Sequence, residues 1–155
     1  ALVDAFPEGA KLTDTTGHLP LHHACDKACS EQIMRILIRA HPDGARAKDE
    51  VGRLPLHTAC EMGCSDGAIQ ILTDAFRDAT SVKDSEGRMP LHIACDKEAS
   101  EEVVRTLIGA QREVSKFADA MRINRAPTKT TDLIGRLPLH IACEKGASAG
   151  AVKLI

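Results

Sequence analysis

The sequence is very poor in aromatic residues: it has no Trp or Tyr and only three Phe among 155 residues. A core must therefore be packed from aliphatic side chains, Ala and Cys. Proteins that hold single-stranded nucleic acid stack its bases on aromatic side chains, and their binding domains carry a basic surplus. With few aromatics and a net charge of −2, the chain is not expected to bind nucleic acid.

Long apolar runs and catalytic motifs are also missing. No segment approaches the roughly 18 apolar residues of a membrane span, so no direct membrane insertion is expected. The sequence contains no nucleophile elbow, no phosphate-binding glycine loop and no His-Glu-x-x-His motif. It therefore predicts no enzyme, no catalytic residues, no cofactor and no metal. The six cysteines do not indicate a disulfide framework in a chain with its own core, which favours a reducing intracellular compartment, the cytoplasm before any organelle.

What the sequence does contain is a tetrapeptide that occurs four times. The copies are Leu19-Pro20-Leu21-His22, Leu54-Pro55-Leu56-His57, Met89-Pro90-Leu91-His92 and Leu137-Pro138-Leu139-His140, at steps of 35, 35 and 48 residues. Further columns keep the same register, namely Asp14, Asp49, Asp84 and Asp132; Gly17, Gly52, Gly87 and Gly135; Cys25, Cys60, Cys95 and Cys143; and Ser30, Ser65, Ser100 and Ser148. A fixed period of this kind is the sequence signature of a repeat protein.

Each column has a physical meaning. The Gly suits a tight turn with positive φ, and the Pro suits the first position of a helix. The Leu, Ala and Cys that follow the Pro share one face of that short helix, and the Ser is a good N-cap for a second one. The unit is therefore a turn, a short helix, a longer helix and a connecting loop. Neither helix can bury its apolar face alone, so the units must stack.

The repeated pattern Asp-x-x-Gly-x-Leu-Pro-Leu-His-x-Ala-Cys resembles the ankyrin repeat, whose signature contains Thr-Pro-Leu-His-x-Ala. Leu or Met replaces the Thr here, which indicates a divergent branch. The resemblance implies an all-α solenoid of helix-turn-helix units, with about four stacked repeats of 35 residues and one insertion of 13 residues.

The register predicts a single domain over 1–155. It comprises a partial repeat over 1–13, repeats over 14–48, 49–83 and 84–131, and a truncated repeat over 132–155. We refer to these four repeats as the first to the last. Leu2, Phe6, Leu154 and Ile155 continue apolar columns that have no further neighbour in the sequence. The expectation from this is a segment of a longer protein, or ends that pack on something else.

The insertion, at about 111–125, lies in the third repeat. Helical spacing continues beyond Ala110, so the second helix is expected to run on by about three turns. Its basic residues are Arg112, Lys116, Arg122 and Arg125. Two interpretations stay open, a solvated surface decoration and a contact with a specific partner.

The repeated histidines and cysteines are predicted to be structural. His22, His57, His92 and His140 recur once per unit, which suits a hydrogen-bonding role better than catalysis. A metal site at His18 and His23 is left as a minor alternative, because the turn and Pro20 separate His18 from the helix. Zinc held between the cysteine pairs of neighbouring repeats is disfavoured, because ligand sulfurs need a spacing below about 4 Å while packed helices lie about 8–10 Å apart. All four Cys of the motif column are expected to be buried and metal-free.

The resemblance also implies where a partner binds, because ankyrin-like repeats use the turn tips and the concave face lined by the first helices. The candidate residues on these surfaces are Glu50, Val51, Arg53, Glu61, Met62, Ser85, Glu86, Arg88, Asp96, Lys97, Leu133, Ile134, Arg136, Glu144 and Lys145. The insertion adds its four basic residues. One alternative is that the acids only pair with Arg53, Arg88 and Arg136 on a solvated face.

The expected function is non-catalytic protein–protein recognition or scaffolding, with the basic insertion suited to an acidic partner surface. Two alternatives stay open. The chain could be a structural subunit wedged into a large multi-protein assembly, or a regulatory segment of a larger enzyme.

Overall fold

The computed structural model describes residues 7–26, 30–120 and 130–155, with the side chains of 7 and 115–120 left aside. These ranges contain eight α-helices and no β-strand. The helices are α1 (Pro20–Asp26), α2 (Glu31–Ala40), α3 (Pro55–Glu61), α4 (Asp66–Ala75), α5 (Pro90–Asp96), α6 (Glu101–Ala120), α7 (Pro138–Lys145) and α8 (Ala149–Leu154). The predicted all-α helix-turn-helix solenoid is confirmed.

Every helix begins where the sequence columns predict. The short helices α1, α3, α5 and α7 start at the motif Pro, whose missing N–H would have no partner in the first turn. The others start one residue after the aligned Ser. The Ser hydroxyl oxygens accept hydrogen bonds from Ile33 N, Ala68 N, Val103 N and Ala151 N, at 3.1–3.4 Å. The serines are N-caps, as predicted.

The motif histidine makes a hydrogen bond to the backbone at the start of each short helix. In the second repeat, His57 Nδ1 accepts a hydrogen bond from Leu54 N at 3.1 Å, and Nε2 lies 3.2 Å from the Val82 carbonyl. His22, His92 and His140 accept from the equivalent backbone N–H at 3.0–3.2 Å. The histidine therefore accepts the N–H of the residue before the motif Pro in every repeat, which bears out its structural role.

Like helices pack on like helices. Each of α1, α3, α5 and α7 contacts the next member of its row, and α2, α4, α6 and α8 form a parallel second row. One continuous apolar cluster lies between the rows, with Leu56, Leu72, Leu91 and Leu107 at most 1% exposed. Leu154 and Ile155 are half-buried against this cluster, whereas Leu2 and Phe6 lie outside the described residues.

The connections contain a feature that the sequence did not predict. Short 3₁₀ helices follow the second helix of the first two repeats, at Pro42–Arg46 and Arg77–Ser81, and another spans Pro7–Lys11. In the third repeat the α-helix continues instead, so α6 has 20 residues where α2 and α4 have 10. The predicted helical extension beyond Ala110 is confirmed as far as Ala120.

The last repeat corrects one prediction about the cysteines. Cys60 and Cys95 are buried free thiols, as expected, but Cys143 is exposed. Its helix α7 packs on α5 and on α8, and among the described residues no first helix of a following unit covers its remaining side. For the same reason Leu139 is 38% exposed, while its counterparts Leu56 and Leu91 are 1% and 0% exposed.

Candidate partner-binding surface

The turn tips are built by the aligned Asp and Gly. Asp49 Oδ1 accepts hydrogen bonds from Val51 N at 3.0 Å and Arg53 N at 2.8 Å, while Asp49 N donates to Arg53 O at 2.9 Å. Gly52 closes the turn with a φ of +74°, a conformation that favours glycine. The third and last repeats repeat these bonds around Asp84 and Asp132. Each tip is therefore a rigid loop.

Backbone hydrogen bonds join successive tips into a row. Glu50 N donates to Thr16 O at 3.4 Å, and Ser85 N donates to Val51 O at 3.0 Å. Leu133 N donates to Glu86 O at 3.1 Å. The tips thus hold fixed positions relative to one another, and the side chains between these bonds form a single surface.

The charges behind the tips pair with one another. Arg53 bonds Asp49 at 3.1 Å and Glu61 at 2.7 Å. Arg88 contacts Asp84 and Glu86, and Arg136 contacts Asp132 and Glu144, at 2.9–3.6 Å. The predicted pairing of acids with arginines is found for Glu61 and Glu144, but Asp96 pairs with Lys145 of the next repeat, at 3.3 Å.

These ion pairs mainly fix the tips. Burial alone would raise the pKa of Asp49, but the backbone and side-chain hydrogen bonds from Arg53 outweigh it and hold that pKa below its ordinary value. The Asp49 side chain is 1% exposed and that of Arg53 is 24% exposed. Arg53 is therefore a support for its own turn more than a free charge for a partner.

Four of the predicted contact residues are large exposed apolar side chains. Leu133 and Ile134, at the last tip, are each 74% exposed, and Val51 and Met62 of the second repeat are 45% and 44% exposed. The other predicted contact residues, Glu50, Ser85, Glu86, Lys97, Glu144 and Lys145, are exposed, and Asp96 is partly exposed. Exposed apolar residues on a rigid backbone are what an interface centre uses where Trp and Tyr are lacking.

The helical extension starts beside this row of tips. Gln111, 1% exposed, donates from Nε2 to the carbonyl of Thr80, which lies just before the third tip. Sequence reasoning missed this buried amide, which pins the first turn of the extension to the preceding connection. Arg112 is exposed. The side chain of Lys116, and Arg122 and Arg125 altogether, lie outside the described residues, so their part in partner binding stays a prediction.

The first tip overturns one expectation. The turn does not keep His18 away from the helix: its ring lies 5.4 Å from the rings of both His22 and His23, measured between centroids. Ligand atoms of Asp14, His18 and His23 all lie within 4.8 Å of one another. The turn that follows Asp14 folds His18 back over α1, a proximity that helical periodicity cannot reveal.

A solenoid of paired helices with projecting, linked turns defines a class of repeat protein that presents a surface instead of enclosing a pocket. A family model described as ankyrin repeats in three copies matches residues 1–80 and 32–118. The chain belongs to the ankyrin repeat family. Ankyrin repeats are in general protein–protein interaction modules and are typically non-catalytic. A search of the curated proteins found no match. Among the described residues no helix is both long and apolar enough to cross a bilayer.

Proposed function

We propose that this chain is a non-catalytic module that binds a protein partner through its turn tips, the concave face behind them and the basic extension of the third repeat. The centre of the interface is the last tip, where Leu133 and Ile134 are each 74% exposed. This exposure is the observation that carries the proposal, because a fixed backbone keeps two large apolar side chains in water.

The tip is ordered before any partner binds. Asp132 Oδ1 accepts hydrogen bonds from Ile134 N at 3.1 Å and Arg136 N at 2.8 Å, and the Leu133 N–H is tied to the third tip. A Cβ on Gly87 would lie 3.0 Å from Leu133 N, so the two tips fit closely. The backbone of the tip therefore loses little conformational entropy when a partner binds, which favours affinity.

Charge provides orientation in this proposal. The arginines of the tips are already paired, so an acidic partner surface is drawn mainly by Arg112 and the other basic residues of the extension. Charges at the rim of an interface change the association rate and its salt dependence more than the dissociation rate.

The test begins with affinity capture on the whole chain and identification of the captured proteins by mass spectrometry. The purified partner is then titrated against wild type, Leu133→Ala and Ile134→Ala by calorimetry. Each substitution should weaken binding by about 1–3 kcal/mol, roughly 5- to 150-fold. Leu12→Ala is the matched control, because Leu12 is 61% exposed but precedes the first tip, at the other end of the row. Unchanged affinity of both tip variants would overturn the proposal.

The contribution of the extension is measured separately. Deletion of residues 112–124 should slow association and flatten its salt dependence. If affinity and both rates stay as in wild type, recognition lies on the tips and the concave face alone.

A further inference from the structure

The first turn tip differs from the other three in the cation that faces its aspartate. In the second repeat, Arg53 Nε donates to Asp49 Oδ2 at 3.1 Å, and the equivalent bonds of Arg88 and Arg136 measure 3.0 Å. In the first repeat, the position of these arginines is taken by His18. Asp14 therefore lacks the guanidinium that neutralises the aspartate of the other tips.

Asp14 is nevertheless a strongly held anion. Its Oδ1 accepts hydrogen bonds from the hydroxyl and the backbone N–H of Thr16 and from His18 N, at 2.7–2.9 Å. Led by the Thr16 hydroxyl, these bonds hold the pKa of Asp14 well below its ordinary value. The other carboxylate oxygen, Oδ2, faces His23 Nε2 from α1 at 2.8 Å. One oxygen builds the turn, and the second is aimed at an imidazole.

The three side chains have a spacing close to that of a metal site. Their ligand atoms lie within 4.8 Å of one another. Bonds of about 2.0–2.2 Å in a tetrahedral zinc site put ligand atoms about 3.4 Å apart. The Asp14–His23 pair, which is 2.8 Å apart, would open slightly, and the other pairs would close by at most about 1.4 Å. The room exists, because the side chains of His23 and Asp14 are 50% and 38% exposed.

Neighbouring residues orient His18 for this role. Its Nε2 lies 3.1 Å from Oδ2 of Asp49, a carboxylate that is 1% exposed and also held by Arg53. A carboxylate on one imidazole nitrogen fixes the tautomer that offers the other nitrogen to a metal ion. His22 stacks against the His18 ring at 5.4 Å between centroids. It is not a ligand itself, because its Nδ1 accepts from Leu19 N and its Nε2 lies 3.3 Å from the Arg53 carbonyl.

We propose that Asp14, His18 and His23 form a zinc-binding site at the first turn tip. Two imidazoles and one carboxylate are ligands that Zn²⁺ takes, and three protein ligands leave a fourth position for water. The bound ion supplies the positive charge that arginine supplies at the other tips. It also ties the loop to α1, since Asp14 and His18 belong to the turn and His23 to the helix.

The probe for this site is zinc alone. The whole chain, stripped of metal with a chelator, is titrated with zinc chloride by calorimetry and with cobalt(II) under visible absorption. One zinc per chain is expected, and cobalt should give the intense visible bands of a tetrahedral ion. Near-ultraviolet charge-transfer bands would reveal thiolate ligands and would overturn the assignment.

His18→Arg is the decisive variant, because it gives the first tip the residue of the other three and should preserve the fold. This variant and His23→Ala should each weaken zinc binding by more than the roughly 100-fold that loss of an outer partner can cost. His41→Gln, a histidine at the C-terminal end of α2, should bind zinc as wild type does. Circular dichroism of each variant checks folding. The proposal fails if wild type shows no saturable binding at one equivalent, or if His18→Arg and His23→Ala bind like wild type.

Discussion

The helices α5 and α7 carry the same six residues, Pro-Leu-His-Ile-Ala-Cys, in different surroundings. In α5, Leu91 is 0% and Cys95 is 3% exposed, whereas in α7, Leu139 is 38% exposed and Cys143 is exposed. The Ile and the Ala of the motif do not differ: Ile93 and Ile141 are 2% and 1% exposed, and Ala94 and Ala142 are both 0% exposed.

The difference shows which contact buries which side chain. Ile and Ala of the motif are covered in both helices, whereas Leu and Cys need the first helix of a following unit. In a solenoid each unit contacts only its neighbours. The burial of the motif side chains therefore depends on whether a further unit follows. Comparing α5 with α7 therefore separates the effect of the neighbouring unit from the effect of the motif sequence.

The largest expected effect is on thiol reactivity. Cys95 should react with a thiol reagent roughly a thousandfold more slowly than Cys143, because a buried thiol reacts only when the structure opens. Burial also raises the pKa of Cys95 to about 12, which suppresses the reactive thiolate. Each cysteine lies in its own tryptic peptide, so timed labelling and mass spectrometry compare them directly. If Cys95 and Cys143 are both labelled slowly and at the same rate in the native protein, the exposed position of Cys143 is contradicted.

The next effect is on stability. Leu91→Ala should lower the free energy of unfolding by about 2–5 kcal/mol, because it empties a fully buried site. Leu139→Ala removes the same atoms from a partly exposed site and should cost about 1 kcal/mol or less. Urea unfolding followed by circular dichroism measures both.

Leu56→Ala is the control for that pair, since Leu56 is 1% exposed in the second repeat. It should resemble Leu91→Ala. If Leu139→Ala costs as much as the two interior variants, α7 is covered in solution by something that the described residues do not include.

The fold was largely predictable because its signals are local. A Pro without an N–H and a Ser with a capping hydroxyl determine where helices begin, whatever surrounds them. Burial was less predictable, and the prediction for Cys143 was wrong, because burial depends on the next unit and not on the motif. The 3₁₀ connections and the buried amide of Gln111 left no periodic signal.

The candidate sites were also predictable only in part. The Gly column indicated a tight turn in each repeat, and Leu133 and Ile134, which lie between the Asp and Gly columns, were among the predicted contact residues. A metal site at His18 and His23 was only a minor alternative, and the proximity of Asp14 to both was not predicted, because residues that are near across a turn have no fixed spacing in sequence. A signal did exist, since His18 stands in a column otherwise occupied by Arg53, Arg88 and Arg136.

The smallest effect, about 1.4 kcal/mol per pH unit, concerns the motif histidine in the interior of the stack. Burial lowers the pKa of His57 to about 4, against about 6.5 in an unfolded chain. Its Nδ1 accepts the Leu54 N–H, so a proton there would break the helix cap. Above pH 6.5, His57 is neutral in both the folded and the unfolded state, and its contribution to the free energy of unfolding is at its maximum. Between pH 6.5 and about 4 only the unfolded state gains the proton, so the free energy of unfolding should fall by about 3 kcal/mol in total and then level off.

Urea unfolding of wild type and His57→Gln at pH values from 7 to 4 measures this contribution as a difference in slope. The variant should lose less stability per pH unit, whatever its stability at pH 7. Leu56→Ala serves as the control, because it weakens the same helix while keeping the imidazole, and its pH slope should match wild type. If His57→Gln and Leu56→Ala show the same pH slope, His57 takes up its proton equally well in the folded and unfolded states. That result would contradict a lowered pKa of His57 in the folded protein.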